Sequence, residues 1–316
     1  MKNDTALRRR LFVPEAFAHP AKGHIGLWQE IIERYTKEGN LILDPMSGIG
    51  TTLVAALMGR NVICVELEQH FVEPMKASWE KMRQHPMLGY EIGKVLILRG
   101  DAKALPLNRA DCVVSSPPYE GSLTEGQDGI DDTKWTNKSV TSKASARSIV
   151  HGYTRPVDAV VSSPPYGGAE KRDKSPYQDG RVAVMMSRSY RSGVYSTENI
   201  GNQKGDAYWS EMEKVYSEAW RVLKPGGIMA LVLGNFVRDG KIIDLIGQTV
   251  ILCEQLGFER FDQWQRKKWA LNFWRILQAR KGGPVIDSED IVAFRKPYPG
   301  TGSEDSLMAR DISPSE

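Results

Sequence analysis

Three short apolar segments, each ending in an acidic residue or leading to one, constrain the fold of this chain more than any other feature. The first two end at Asp44 and Glu66, and the third leads through Arg99 and Gly100 to Asp101. Apolar runs of this length bounded by turn residues are typical of buried strands. A glycine-containing turn and an apolar helical stretch follow the first segment, so the chain runs strand, turn, helix, strand. This order predicts an α/β fold built on a mostly parallel, doubly wound sheet.

The three acids also predict the chemistry of a ligand. In such a sheet the strand carboxyl ends line the binding crevice, and an acid about twenty residues after the first strand binds ribose hydroxyls. Glu66 follows Asp44 at this offset. The turn has neither a GK[ST] sequence nor a full GxGxxG, so a phosphate-cradling loop and a dinucleotide site are both disfavoured. Three carboxylates suit a ligand that carries an ammonium group, a ribose and an adenine amine.

The pentapeptide Ser-Ser-Pro-Pro-Tyr occurs twice, at residues 115–119 and 162–166, each time after a short apolar segment. A Pro-Pro pair gives a stiff turn that lacks two backbone donors. The turn presents a serine hydroxyl, a proline carbonyl and a tyrosine ring at the carboxyl end of its strand. Together these groups can hold a flat heterocycle that carries an amino group.

In this order the motifs resemble those of the DNA amino-methyltransferase family, which methylates N4 of cytosine or N6 of adenine with S-adenosylmethionine. The resemblance lies in the glycine turn, in Gly-Asp-Ala at 100–102 and in Ser-Pro-Pro-Tyr. It extends over most of residues 15–297, through a segment at 19–24, a helix and Lys-Pro-Gly-Gly turn at 208–227, and a final hairpin at 290–295. The resemblance implies a Rossmann-like class I methyltransferase fold whose parallel sheet ends in an antiparallel hairpin.

The resemblance also implies S-adenosyl-L-methionine as the cofactor, with the glycine turn holding its methionine part, Glu66 its ribose and Asp101 its adenine. The implied cofactor-binding residues are His19, Lys22, Asp44, Pro45, Ser47, Gly48, Gly50, Thr51, Glu66, Asp101 and Ala102. The implied catalytic residues come from the two copies of the turn, Ser116, Pro117, Pro118 and Tyr119 or Ser163, Pro164, Pro165 and Tyr166. In this family a serine before Pro-Pro-Tyr is commoner in cytosine-N4 enzymes, so cytosine is favoured and adenine-N6 stays open.

The two copies cannot both face one methyl group, because the chain has a single glycine turn of this kind. Residues 120–161 between them are polar and poor in apolar periodicity, which is typical of an insertion. A partial tandem duplication that leaves one active copy explains the repeat. The spacing from Asp101 slightly favours Ser116–Tyr119, whereas continuity with the rest of the fold favours the second copy.

Double-stranded DNA is the expected partner, and residues 169–207 are the first candidate for contacting it. Basic side chains can neutralise phosphates, and this segment supplies Lys171, Arg172, Lys174, Arg181, Arg188 and Arg191 with tyrosines between them. The tryptophan-rich stretch 263–275 is a second candidate, with core packing as the equal alternative. Residues 1–14 form a basic arm whose arginines touch the DNA backbone or remain free in solvent.

Composition restricts the class of protein less strongly than the motifs do. The chain has 316 residues, 41% of them hydrophobic and 26% charged, with a net charge of +3, so it is expected to be an ordinary cytoplasmic globular protein. The three cysteines lie far apart, without metal-ligand spacing, and are expected to be small core residues. No apolar run is long enough for a membrane span, and residues 298–316 are expected to be a disordered tail.

Sequence reasoning leaves several alternatives open. An RNA or protein amine methyltransferase could use a related turn, and a non-catalytic DNA-binding subunit could keep the cofactor site. A cognate restriction nuclease as a partner, the target sequence and the oligomeric state are equally open.

Overall fold

The computed structural model describes residues 4–18, 23–107, 157–162, 199–203, 205–238, 241–267 and 282–299. Within them a seven-stranded sheet has the strand order β3-β2-β1-β4-β5-β9-β8, and β6 and β7 form a separate two-stranded hairpin. The strands are β1 Leu41–Asp44, β2 Asn61–Glu66, β3 Val95–Arg99, β4 Val157–Ser162, β5 Leu223–Leu233, β6 Phe236–Arg238, β7 Lys241–Ile243, β8 Glu259–Lys267 and β9 Ser288–Arg295.

The direction of the strands confirms the predicted fold class. Strands β3, β2, β1, β4 and β5 pair in parallel, β9 is antiparallel to β5, and β8 is antiparallel to β9. The sheet is therefore doubly wound and ends in an antiparallel hairpin. Strands β1 and β2 are buried along almost their whole length, which explains why each appears in the sequence as a continuous apolar run.

The chain reverses its direction along the sheet between β1 and β4. Strands β1, β2 and β3 follow one another toward one edge, whereas β4 and β5 continue from the other side of β1. At such a switch point the loops after the two neighbouring strands diverge and leave a crevice at the strand carboxyl ends, which is where open α/β sheets bind ligands. In this protein, Asp44 ends one of the two strands and Ser162 ends the other.

The α-helices of the described residues are α1 Thr5–Leu11, α2 Ile25–Tyr35, α3 Val54–Leu57, α4 Gln69–Met82, α5 Asp206–Val222 and α6 Leu245–Gln255. Helix α2 shows how the sequence sets these elements. The Nδ1 atom of His24 accepts a hydrogen bond from the Leu27 amide and caps the first turn, and Trp28, Ile31 and Ile32 recur at helical spacing and are buried. None of the helices in these ranges is long and apolar enough to cross a membrane.

The Lys-Pro-Gly-Gly sequence, predicted as a tight turn between a helix and a strand, lies inside β5. The pairing of β4 with β5 shifts register there, from Val157 opposite Leu223 to Ala159 opposite Ile228. Gly226 has a φ of 75°, which favours glycine, and its amide donates to the Lys296 carbonyl at 2.7 Å. The turn is thus absorbed as a bulge between β4 and β9.

The core accounts for two of the cysteines and for one tryptophan of the stretch 263–275. Cys64 and Cys253 are fully buried free thiols, which confirms the expectation for them; Cys112 lies outside the described residues. Trp264 packs against the core, and its indole N–H donates to the Tyr35 hydroxyl at 2.9 Å. For this residue the core interpretation is therefore confirmed, whereas Trp269 and Trp274 lie outside the described residues.

The expectation of a basic arm over residues 1–14 is wrong for residues 5–12. Residues 5–11 form α1, and Leu11 and Phe12 are buried in the core. Arg8 is 5% exposed; its guanidinium donates to the Gly23 carbonyl and to the Asp4 carboxylate, the latter at 2.7 Å. The sequence shows only three consecutive arginines, whereas the helix turns Arg8 inward and leaves Arg9 and Arg10 exposed.

Replacing Arg8 with methionine should lower the free energy of unfolding by about 3 kcal/mol, because a half-buried carboxylate and a backbone carbonyl then lose their donor. Asp4 also accepts the Ile25 amide at 2.9 Å, so the change weakens the start of α2. Urea denaturation followed by circular dichroism measures the effect. Arg10→Met, on the same helix but exposed, should change stability by less than about 0.5 kcal/mol; equal effects would contradict the buried role of Arg8.

Candidate active site

The loop after β1 is a compact turn that its own side chains hold. The Ser47 hydroxyl donates to the Asp44 carbonyl at 2.8 Å, and the Ser47 amide donates to the Val65 carbonyl of β2 at 3.1 Å. Gly50 has a φ of 76°, a conformation that side chains rarely adopt, and a Cβ there would lie 2.6 Å from the Met75 side chain. Thr51 then begins a short 3-10 helix that leads into α3. The loop closes over the end of β1 and points its backbone toward β2.

Asp44 is 3% exposed and accepts two hydrogen bonds, one of which is supported by a third group. Its Oδ2 accepts from the Thr52 hydroxyl at 2.5 Å, and its Oδ1 accepts from the Met46 amide at 3.2 Å. The Thr52 oxygen in turn accepts from the indole N–H of Trp28 at 3.0 Å. Burial raises the pKa of Asp44 well above its ordinary value, against the effect of the two hydrogen bonds.

Glu66 ends β2 and joins the loop after β1 to the start of the next segment. Its Oε2 accepts from the Gly48 amide at 2.7 Å, and its Oε1 accepts from the Glu68 amide at 2.9 Å. The side chain is 7% exposed, and burial raises its pKa to about 7, although the backbone amides favour the charged form. Two backbone amides thus fix the orientation of both carboxylate oxygens of Glu66 beside the glycine turn.

Asp101 follows β3, one strand further along the same edge of the sheet. The preceding Gly100 amide donates to the Glu66 carbonyl at 3.0 Å, which ties the ends of β2 and β3 together. The Asp101 Oδ1 accepts from the Lys103 amide at 2.9 Å, and the Lys103 ammonium lies 3.6 Å from Oδ2. Ala102 is buried beside it. Asp44 and Glu66 thus end β1 and β2, and Asp101 lies two residues after the end of the neighbouring parallel strand β3.

Sequence reasoning missed several polar groups that hold these acids. Thr52 and Trp28 support Asp44, and Lys103 bridges Asp101 to Glu211 of α5 with an N–O distance of 2.6 Å. Glu68, buried two residues after Glu66, accepts from the Asn199 side-chain amide at 3.1 Å. The Thr-Thr pair after the glycine turn signalled Thr52, whereas Trp28, Asn199 and Glu211 are distant in sequence from the groups that they contact.

The remaining predicted site residues fall outside the described ranges. These are His19 and Lys22, both copies of the catalytic turn (Ser116, Pro117, Pro118, Tyr119, Ser163, Pro164, Pro165 and Tyr166), and the basic residues Lys171, Arg172, Lys174, Arg181, Arg188 and Arg191. Of the second copy, the described part is Ser162, the last residue of β4.

The strand that lies beside β1 leads into the second copy, whereas the sequence weakly favoured the first copy. That preference assumed that the strand of the first copy follows β3 directly. In the sheet, β4 at residues 157–162 pairs with β1 on one side and β5 on the other. This strand leads directly into the second copy, and Ala159 at its centre is fully buried.

The carboxylate oxygens of Asp44 and Glu66 fit two polar parts of S-adenosyl-L-methionine, its ammonium group and its ribose. Each oxygen of Asp44 and of Glu66 accepts one hydrogen bond within the protein, and a carboxylate oxygen has a second lone pair. Asp44 can therefore accept from an ammonium group, and Glu66 from the two hydroxyls of a ribose. Two buried carboxylates close together disfavour a phosphate in the same place.

The perturbed Glu66 gives a pH dependence of stability with a defined sign. Because its folded-state pKa is raised, its contribution to stability is full below its ordinary value near 4.5 and is lost as the pH rises through about 7. We expect the ligand-free protein to lose up to about 3 kcal/mol between pH 5 and pH 8 from this group. Urea denaturation at each pH gives the free energy of unfolding. In the Glu66→Gln variant this free energy should no longer show the fall with pH that Glu66 causes, whereas Glu33→Gln, on the exposed face of α2, should keep it. Parallel slopes for all three proteins would contradict the assignment.

Comparison with known proteins agrees with this geometry. A family model described as DNA methylase, of the N6/N4 methyltransferase type, matches residues 2–77, which contain α1, α2, the glycine turn and Glu66. The Type II methyltransferase M2.MboI of Moraxella bovis is 42% identical over 65 residues. These matches support the DNA amino-methyltransferase family. They also support S-adenosyl-L-methionine as the cofactor of this site.

The extent of these matches is limited. The match to the Moraxella bovis enzyme covers 20% of this chain, and the chain spans about a quarter of the length of that relative, 24%. Similar solved structures include a SAM-dependent methyltransferase from Methanosarcina mazei, with a TM-score of 0.41 and 15% identity over 84% of this chain and 97% of the other. The [4+2]-cyclase SpnF has a TM-score of 0.44 and 15% identity over 88% and 86%. The fold assignment rests on the strand order of the protein itself, since TM-scores this low carry no argument.

Proposed function

We propose that this protein transfers a methyl group from S-adenosyl-L-methionine to an exocyclic base amine in specific sequences of double-stranded DNA, with N4 of cytosine as the favoured acceptor. N6 of adenine is the alternative acceptor. The preference for cytosine rests on the serine that precedes Pro-Pro-Tyr in both copies of the turn.

The observation that carries the proposal is the pairing of β4 with β1 at the switch point of the sheet. The buried acids that suit the cofactor end β1 and β2, and the strand that enters the Ser-Ser-Pro-Pro-Tyr turn ends beside Asp44. Neighbouring parallel strands lie about 4.8 Å apart, so the chain leaves β4 next to the point where the loop after β1 begins. A cofactor held by the loop after β1 would then lie next to an acceptor held by the turn after β4.

We propose the second copy, Ser163–Tyr166, as the catalytic turn. The support is continuity, because Ser162 is both the end of β4 and the first residue of this copy. The first copy is then a duplicated segment without a catalytic role. This reverses the slight sequence preference for Ser116–Tyr119.

The chemistry requires positioning of a weak nucleophile. The lone pair of an exocyclic amine is delocalised into the base, so the nitrogen must become more pyramidal before it can attack. The Ser163 hydroxyl and the Pro164 carbonyl can accept its two hydrogens, and positioning of this kind supplies about 7–11 kcal/mol in the best cases. The bound cofactor supplies an electrophilic methyl group on a sulfonium.

The acceptor base must leave the duplex to reach such a turn. Extrusion costs a few kcal/mol, and stacking of the flipped base on the Tyr166 ring can return about 1–3 kcal/mol. We propose that the basic segment 169–207, which follows this turn directly, contacts DNA phosphates. Salt dependence of DNA binding would reveal such contacts.

The test is mass spectrometry of nucleosides from the DNA of a methylation-free host that expresses the protein. N4-methylcytosine would support both the activity and the favoured acceptor. N6-methyladenine would support the activity and overturn the acceptor. Neither mark, from a folded protein that binds S-adenosylhomocysteine, would overturn the DNA methyltransferase proposal.

A further inference from the structure

Asp44 is supported by a buried relay that begins on α2, outside the glycine turn. The Trp28 indole N–H donates to the Thr52 Oγ1 at 3.0 Å, and the Thr52 hydroxyl donates to the Asp44 Oδ2 at 2.5 Å. Trp28 and Thr52 are 2% and 0% exposed. A side-chain relay of this kind, shielded from water, costs more to break than a surface hydrogen bond.

The hydrogen bond from Thr52 favours the charged form of Asp44. An indole nitrogen only donates, so Trp28 takes one of the two lone pairs of the Thr52 oxygen. The Thr52 hydroxyl donates its proton to the Asp44 Oδ2. A carboxylic acid at Asp44 would have to turn this hydroxyl around, so the observed hydrogen bond favours the carboxylate over the acid.

Trp28 is itself held in place by the segment before α2. A Cβ on Gly23 would lie 2.6 Å from the Trp28 ring, so the backbone of Gly23 rests directly on the indole. The Gly23 carbonyl accepts from the Arg8 guanidinium. The position of the indole is thus fixed from two sides, by α1 and by the glycine turn.

We infer that Trp28 and Thr52 are positioning residues that keep Asp44 ionised and aimed at the ammonium group of the cofactor's methionine part. The inference rests on the cofactor of the proposed function and deepens it. Two effects oppose the ionisation of Asp44, namely its burial and the Glu66 carboxylate of β2. Asp44 in turn raises the pKa of the neighbouring Cys64 thiol, whose own burial has the larger effect. Helix α2 contributes the neutral indole donor of Trp28 to this relay and no charged group.

The experiment compares two ligands by isothermal titration calorimetry. S-adenosylhomocysteine carries the ammonium group, and 5′-methylthioadenosine has the same nucleoside without the amino-acid part. Hydrogen bonds to charged groups are worth enough that Thr52→Val should weaken S-adenosylhomocysteine binding at least about tenfold at pH 7. Trp28→Phe should weaken it less, and Thr52→Ser, which keeps the hydroxyl, should restore it. Binding of 5′-methylthioadenosine should change less than about twofold in all three variants.

The pH profile of S-adenosylhomocysteine binding distinguishes a positioning role of Thr52 from a role in packing alone. Loss of the Thr52 proton leaves Asp44 easier to protonate, so the low-pH limit of S-adenosylhomocysteine binding should move upward in Thr52→Val. Equal weakening of both ligands, or an unchanged pH limit, would overturn the inference and leave the proposed function standing. A wild-type protein that binds neither ligand would overturn both, whereas binding without any DNA methylation would overturn the proposed function alone.

Discussion

Replacing Tyr166 with alanine is expected to lower the rate of DNA methylation about 5-fold to 150-fold, because stacking of a base on an aromatic ring is worth about 1–3 kcal/mol. The reason for choosing this tyrosine is the sheet: β4 lies beside β1 and continues into the second copy of the turn. The first copy offers a matched control, since Tyr119→Ala removes the same side chain from the same pentapeptide. That variant should keep activity within about twofold of the wild type.

The measurement is transfer of tritiated methyl groups to host DNA lacking the modification. Serine variants add a second comparison, because Ser163→Ala removes a hydrogen-bond acceptor for the amine and Ser116→Ala its counterpart. Activity that survives Tyr166→Ala and is lost in Tyr119→Ala would restore the first copy as the catalytic turn. Loss in both would indicate that the two copies act together, which the present proposal excludes.

Replacing Asp44 with asparagine is expected to weaken S-adenosylhomocysteine binding about 100-fold without lowering the stability of the ligand-free protein. The affinity falls because a charge-assisted bond to the ammonium group becomes a neutral one. The stability is kept because burial disfavours the charged form of Asp44 and raises its pKa, whereas an amide has no charge to bury. The amide oxygen can accept from the Met46 amide, and its NH2 group can donate to the second lone pair of a reoriented Thr52 hydroxyl. A loss of binding without a loss of stability is the mark of a functional group.

Calorimetry measures the binding, and thermal unfolding without ligand measures the stability. Asp244→Asn is the control, since Asp244 caps α6 through the Gly247 amide, far along the chain from the glycine turn, and asparagine caps a helix as well as aspartate does. This control should leave both quantities unchanged. A strong loss of stability in Asp44→Asn would mean that the carboxylate is mainly structural.

The sequence alone determined the order of the elements and the ligand chemistry at their ends. The apolar runs before the three acids are strands: β1 ends at Asp44, β2 ends at Glu66, and β3 ends two residues before Asp101. Strands buried on both faces need continuous apolar residues, and the glycine turn needs a positive φ at Gly50. These are local requirements, and a local pattern can report them.

The tertiary structure alone decided which strand lies beside β1 and what supports the site. Both copies of the pentapeptide follow similar apolar segments, so only the pairing of residues 157–162 with β1 and β5 distinguishes them. Arg8 was predicted to belong to a basic arm, whereas α1 turns it onto the Gly23 carbonyl, and no sequence pattern indicated that the Trp28 indole donates to Thr52. Such hydrogen bonds join residues that are distant in sequence, and no local periodicity records which partner a buried donor finds.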